Sequence, residues 1–337
     1  MAVVQLADIY EPLTFNGAVQ ERAIELNRFV QSGIMVDDPL IASVANSPGQ
    51  THELPFFHGL THDEPDYVTD DPAVDSVPAK LTGGKQLCFT AYTHKSWSTM
   101  DLAREIALQD PLMAITDRVA KYFAVNTEKR LINSAIGIML DNVANDSSDM
   151  TNDIFTETGL SATAANLISA EEVVDTVATL GDHSEIIAAI AMHSVPYFNL
   201  VKADLIVYVK DSTGSLSIPT YLGKRVVVDD SIAPRAGTTN GFVYTTIMFS
   251  SGCIAYGRGT PTVPSELERK ASSGNGGGQD ILHYRTTELI HPFGFAFDPT
   301  SVAGQSATYA ELAAAAQWNR VMANRKNIGI AFLRTNG

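Results

Sequence analysis

The sequence predicts an α+β fold, and three stretches carry that expectation. Residues 186–256 alternate apolar, β-branched runs with glycine turns and read as strands of one mixed sheet. Residues 98–145 hold helical spacing over most of their length. Residues 39–91 are interrupted by prolines 39, 48, 55, 65, 72 and 78 and by glycines 49, 59, 83 and 84, which leaves no room for a long helix.

In chain order, Ala23, Ile24, Leu26, Phe29 and Val30 recur at helical spacing and Gly33 ends the pattern. This amphipathic helix either docks on its own domain or reaches a neighbour as an arm. Residues 54–57 and 87–92 are strand-like. Within 98–145 a first helical piece spans 101–109, and Asp110 caps a second with Pro111 at its first position. Leu112, Ile115, Val119, Tyr122 and Phe123 form one apolar stripe, continued by Leu131, Ala135, Ile138 and Met139, with Asp117 and Lys121 paired on the other face. Unbroken from 111 to 140, that helix would run about 45 Å.

Residues 142–158 read as a connection. Ser169 and Glu172 set a capping box for a helix through Leu180, stopped by Gly181. Residues 186–192 form a strand buried on both faces; Ser194 caps the next helix, which has Pro196 in its first turn and ends near Lys202. Strands follow at 221–230, 242–249 and 280–297. Thr308 and Glu311 set another capping box, 312–322 is helical around Trp318, and 327–333 closes as a strand.

The search for chemistry yields no site. His52, His58, His62, Asp63, Glu64 and Asp66 lack the spacing of a zinc site, and the acid run that continues through Asp70, Asp71 and Asp75 reads as an exposed, solvated loop. Gly83-Gly84-Lys85-Gln86 lacks the upstream glycine and hydroxyl of a phosphate loop, and Gly274–Gly278 follows charged residues instead of a strand. Gly304-Gln305-Ser306 has only the first glycine of a nucleophile elbow. His193 and Ser194, adjacent on a strand, are expected to point to opposite faces, with Ser194 as a cap. Cys88 and Cys253 are far apart, fit a reducing compartment, and Cys253 reads as a small buried hydrophobe. No catalytic, cofactor-binding or metal residue is assigned, and no apolar run approaches the ~20 residues of a membrane span.

Length and charge set the class. At 337 residues two lobes or one elongated molecule is expected, and a formal charge of −15 argues against gripping nucleic-acid phosphates as the main task.

The order of "MHS", a short helix, "LGKRVVVDDSI" and "YTTIMFSSGCIAYG" resembles the axial domain of tailed-bacteriophage major capsid proteins of the Hong Kong 97-type fold. With "LPFFHGL", "STMDLAREIALQDPLMAITDRVAKYF", "HPFGFAF", "YAELAAAAQWNRV" and "RKNIGIAFLRTNG", the resemblance covers nearly the whole chain. It implies an N-terminal arm (1–45), an extended hairpin arm lying over the adjacent subunit (46–97), a peripheral domain with a long spine helix (98–160), an axial domain (161–270), and return strands with a C-terminal helix and strand (271–337). It also implies a non-enzymatic coat protein, assembled in the bacterial cytoplasm as hexamers and pentamers into an icosahedral virion capsid. Double-stranded DNA would be enclosed without sequence-specific binding, and no membrane is involved. A long N-terminal coiled-coil extension is lacking, so a separate scaffolding protein is implied, with a portal and a decoration protein as further partners. The alternative within this fold is an encapsulin-like compartment around an enzyme cargo. Some relatives join an arm lysine to a neighbour's asparagine; Lys80 and Lys85 are the arm's lysines, and with no matching asparagine or catalytic acid they are expected to be solvated.

Overall fold

A computed structural model describes residues 19, 23, 27–60, 63–101, 115–210 and 217–337. The chain runs through helix α1 (Arg28–Gln31), strand β1 (Met35–Asp37), α2 (Pro39–Ala45), β2 (Thr51–Phe57), β3 (Gly83–Met100) and the long helix α3 (Ile115–Asn145). Next come β4 (Thr151–Asp153), α4 (Ala170–Ala178), β5 (Ile187–Met192), α5 (Ser194–Lys202), β6 (Val207–Lys210), β7 (Ser217–Tyr221), β8 (Lys224–Val228) and β9 (Arg235–Ala236). The chain finishes with β10 (Phe242–Ser250), β11 (Ile254–Gly259), β12 (Ser265–Lys270), β13 (Gln279–Pro292), β14 (Phe295–Phe297), α6 (Tyr309–Leu312), β15 (Trp318–Arg320) and β16 (Ile330–Thr335).

Two larger sheets organise the described residues. One has the order β1-β11-β13-β3-β2, with β12 also beside β13; the other has the order β4-β16-β10-β5-β8-β7-β6, with β9 beside β10. The residues 186–256 therefore do not make one sheet. The chain leaves β10 in the second sheet and enters β11 in the first through Ser251-Gly252-Cys253, where Gly252 takes φ +67° and its N–H donates to Gly33 O at 3.0 Å. A glycine tolerates that left-handed turn, so the two strands are not a hairpin.

β3 serves two partners in succession. Its first half pairs with β2 from Phe57↔Gly83 to Thr51↔Phe89, and its second half pairs with β13 from Leu289↔Thr90 to Gln279↔Met100. Ser98, expected to open a helix, is instead paired with Ile281. Pairing with the long β13 overrides the local helical pattern there. Of the expected first piece at 101–109 only Asp101 is described; residues 102–109, the Asp110–Pro111 cap, Leu112 and the side chains of Ile115 and Asp117 lie outside the described residues.

α3 spans 31 residues, about 46 Å. Leu131, Ile132, Ala135, Ile138 and Met139 enter the main core with Phe249, Phe295, Trp318 and Phe332; Val119, Ala120, Phe123 and Ala124 pack on Tyr284, Val19 and Ala23. Of the expected first stripe Val119 and Phe123 are buried, but Tyr122 stands on the exposed side at 37%, and farther along Glu128, Arg130, Ser134, Asp141 and Asn142 are buried as well as the apolar residues. The middle of the helix is enclosed because α6, the 3-10 turn Ala315–Gln317 and β15 pack against it as well as β13 and β4.

Val19 and Ala23 are helical and buried against the chain's own core, while the extended residue Asn27 interrupts the expected 18–30 helix. Its Oδ1 accepts the N–H groups of Phe29 and Val30, which starts α1 afresh. α4 has the expected cap, with Ser169 Oγ accepting from Glu172 N–H. α5 is capped differently: His193 Nδ1 accepts the Val195 N–H at 3.1 Å, and the Ser194 N–H goes to Asp230 Oδ1 at 3.0 Å.

The helix expected at 312–322 is absent. The Thr308–Glu311 capping box forms, but α6 ends at Leu312. Trp318 Nε1–H donates to Leu312 O at 2.7 Å, Trp318 pairs with Phe297 between β15 and β14, and its ring meets Phe297 at 5.2 Å. Helix propensity in an alanine run is worth a few tenths of a kcal/mol per residue, whereas burying a tryptophan contributes about 3 kcal/mol. The final strand is shifted to Ile330–Thr335, with Asn327 in a short 3-10 turn.

Candidate functional site

Each residue weighed for catalysis has a structural partner. Contrary to expectation, the His193 and Ser194 side chains meet: Ser194 Oγ is 3.4 Å from His193 Nδ1, and His193 Nε2 is 3.6 Å from Asp230 Oδ1. The start of α5 curls the backbone, so adjacent side chains no longer diverge. The arrangement works as a cap. The Nδ1 lone pair is taken by the Val195 N–H, leaving Ser194 without a base, and hydrogen bonds from Ser194 hold Asp230 below the usual carboxylate range.

Burial pushes the Cys88 thiol up to about 11 and the Cys253 thiol up to about 12, so neither is a thiolate at neutral pH. Ser306 Oγ donates to Tyr92 O and accepts the Tyr92 N–H, filling the place of a strand partner beside β3. His52 and His58 lie six residues apart along and just beyond β2, about 20 Å at strand spacing. His62 lies outside the described residues. Among the described residues no three histidines, cysteines or carboxylates gather into a metal-binding group.

What the structure assembles instead is an exposed hairpin extension on a packed base. β2 and the first half of β3 form a hairpin, and residues 58–60 and 63–82 continue it without regular secondary structure. From Asp63 to Gly83 every residue is exposed. The hydrogen bonds near the tip are local: Tyr67 OH to Glu64 Oε1 at 2.7 Å, Ala73 N–H to Asp71 Oδ1 at 2.9 Å, and Val74 N–H to Asp71 O at 3.2 Å. Apolar side chains stand in the open beside the acid run; Phe57 is 75% exposed, Tyr67 81% and Val68 fully. Lys80 is exposed, and Lys85 pairs with Glu53 across the hairpin.

The base is held by buried charge. Arg28 Nη2 reaches both Glu128 of α3 and Asp229 after β8, and its Nη1 donates to Val228 O at 2.6 Å. Arg225 of β8 donates to Gln31 O at 2.6 Å. The segment 28–37 thus straps α3 and the second sheet to β1 of the first. A second buried network joins α3 to β13, where Thr127 donates to Glu288 Oε2 at 2.9 Å and Arg130 Nε lies 3.6 Å from Glu288 Oε1.

This geometry agrees with what known proteins show. Residues 106–329 match the family model described as Gp13-like, major capsid protein 13-like. The major capsid protein of Bacillus phage SPP1 is 35% identical over 328 residues, covering 97% of this chain and 96% of that protein. The capsid of Ralstonia phage GP4 superposes with a TM-score of 0.61 at 8% identity, covering 92% of this chain and 88% of its own. The Cyanophage Pam1 capsid superposes at 0.55 and 11% identity, covering 94% and 92%. These two structural likenesses speak for the fold, the Hong Kong 97 type.

Proposed function

The chain belongs to the Gp13-like family of major capsid proteins, and from that premise we propose that its copies close as hexamers and pentamers into an icosahedral shell held together by the 58–82 arm. It is a major capsid protein of a tailed phage, and its place is the virion capsid. In our reading the shell encloses double-stranded DNA without reading its sequence, which suits a chain of net charge −15. The sheet containing β3 and β13, with α3, is the peripheral domain; the sheet centred on β5 and β10 is the axial domain. Assembly draws on a separate scaffolding protein, a portal and a decoration protein. The chain performs no catalysis of its own.

The observation that carries this reading is the arm. Fixing a residue's backbone costs roughly 1–2 kcal/mol, and residues 63–82 recover almost none of it from their own chain, since all are exposed. Their exposed apolar groups mark a surface that a neighbour covers. The test joins Phe57 to Gly83, which are paired partners, by a short Gly-Ser turn in place of 58–82. The expected product is a subunit with native helix content that forms no shells in electron microscopy. Normal shells from that variant would overturn the reading.

A further inference from the structure

We propose that the arm's acid run docks on the outward face of α3 in a second copy of this chain, at a basic patch made by Lys95, Arg118, Lys121 and Lys129 around Tyr122. The inference rests on the reading of the arm as an intersubunit contact and names its receptor.

The arm brings Asp63, Glu64, Asp66, Asp70, Asp71 and Asp75 against a single lysine, Lys80. Such a run can be covered only by a surface that supplies cations, because burying uncompensated carboxylates against an apolar or acidic face is costly. Cations are scarce in this chain, 23 lysines and arginines against 38 carboxylates, and most of the described ones are committed internally. Arg28, Arg130, Arg235, Arg269, Arg320 and Arg334 each hold a carboxylate of their own chain.

The α3 face is different. Residues 118, 121, 122, 125 and 129 recur at three- and four-residue spacing and share the side of the helix turned away from the core. Arg118 and Lys121 are exposed and Lys129 is half-buried; among the described residues none of the three pairs with a carboxylate. Lys95 joins them from β3, with its Nζ 6.0 Å from the centre of the Tyr122 ring. Tyr122 itself is 37% exposed and edge-on to Trp97 and Phe123, so it presents a fixed aromatic platform between the cations. Acid run and exposed Tyr67 and Val68 on the arm thus meet cations and an aromatic ring on the helix, complementary in both charge and apolarity.

The test uses assembled shells grown from equal amounts of heavy-nitrogen and ordinary subunits. A carbodiimide, which joins a carboxylate directly to an amine, is applied and the peptides are read by mass spectrometry. Mixed-isotope links from residues 63–75 to Lys95, Lys121 or Lys129 are expected. Arm links only to other lysines of a neighbour, such as Lys202 or Lys326, would overturn the receptor and leave the arm reading intact; arm links confined to one isotope would overturn both. A second measurement compares shell yields. R118E/K121E/K129E is expected to lower yield about tenfold or more, since like charges would then face each other. Adding D63K/E64K/D66K is expected to restore it. Normal yield from the first variant, while the 58–82 replacement still fails to assemble, would refute the receptor alone.

Discussion

Arg28 Nη2 lies 2.8 Å from Asp229 Oδ2, a contact that spans 201 residues of sequence and ties the N-terminal strap to the second sheet. The same nitrogen is 2.9 Å from Glu128 Oε2, so one guanidinium serves two carboxylates whose side chains are each only 3% exposed. Removing it with Arg28→Ala leaves both carboxylates buried without a cation. The expected loss is about 2–4 kcal/mol in denaturant unfolding of the dispersed subunit, moderated because the guanidinium is itself half exposed. R28A/E128Q/D229N is expected to regain part of it; no recovery would show that the loss came from packing instead of charge.

Gly137 marks the closest approach between α3 and the segment before β15. A Cβ there would lie 2.1 Å from Leu312 O and 2.5 Å from Trp318 Nε1. Gly137→Ala must push the tryptophan away from its Leu312 hydrogen bond, costing about 3 kcal/mol. A lowered melting temperature with red-shifted tryptophan emission is the expected outcome.

His291 sets a pH dependence. Burial lowers its imidazole to about 4, and its Nε2 lies 2.8 Å from Gln86 Oε1, which also accepts the Gly294 N–H. The ring is neutral in the fold, whereas the unfolded chain takes up its proton near pH 6.5. Between about 6.5 and about 4 the unfolded state holds more protons, so stability falls as pH falls, by about 3 kcal/mol across the window. Melting curves of the dispersed subunit should show that slope, and His291→Gln should flatten it.

Leu222 adopts φ +50° and Gly223 φ +75° in the turn between β7 and β8. Leucine is strained there, while Asn-Gly is the preferred pair for such a turn. Leu222→Asn is expected to stabilise the dispersed subunit by about 0.5–1 kcal/mol in denaturant unfolding; an unchanged midpoint would refute the strain argument.

Neither thiol should react with a disulfide reagent in the native subunit at mildly alkaline pH, because burial holds Cys88 at about 11 and Cys253 at about 12. Both should react once denaturant is added. Rapid modification of either in the native state would contradict the packing around it.

The sequence by itself determined what depends on near neighbours. The Ser169 cap, the Thr308–Glu311 box and the helix through 115–140 are written in spacing of three or four residues, the strand at 187–192 in a continuous apolar run, and the family phrases run along nearly the whole chain. The absence of regular structure at 63–82 was legible from Pro65, Pro72 and Pro78 for the same reason. Tertiary structure decided the rest. β3 extends through Ser98 because β13 offers it a partner; the alanine run after Leu312 gives up its helix because Trp318 finds a carbonyl and a ring to pack on. β10 and β11 part into different sheets because Gly252 turns the chain toward Gly33, and His193 rather than Ser194 caps α5 because Asp230 draws the Ser194 N–H. Each of these outcomes depends on a group far away in sequence, and local periodicity carries no record of where such a group will stand.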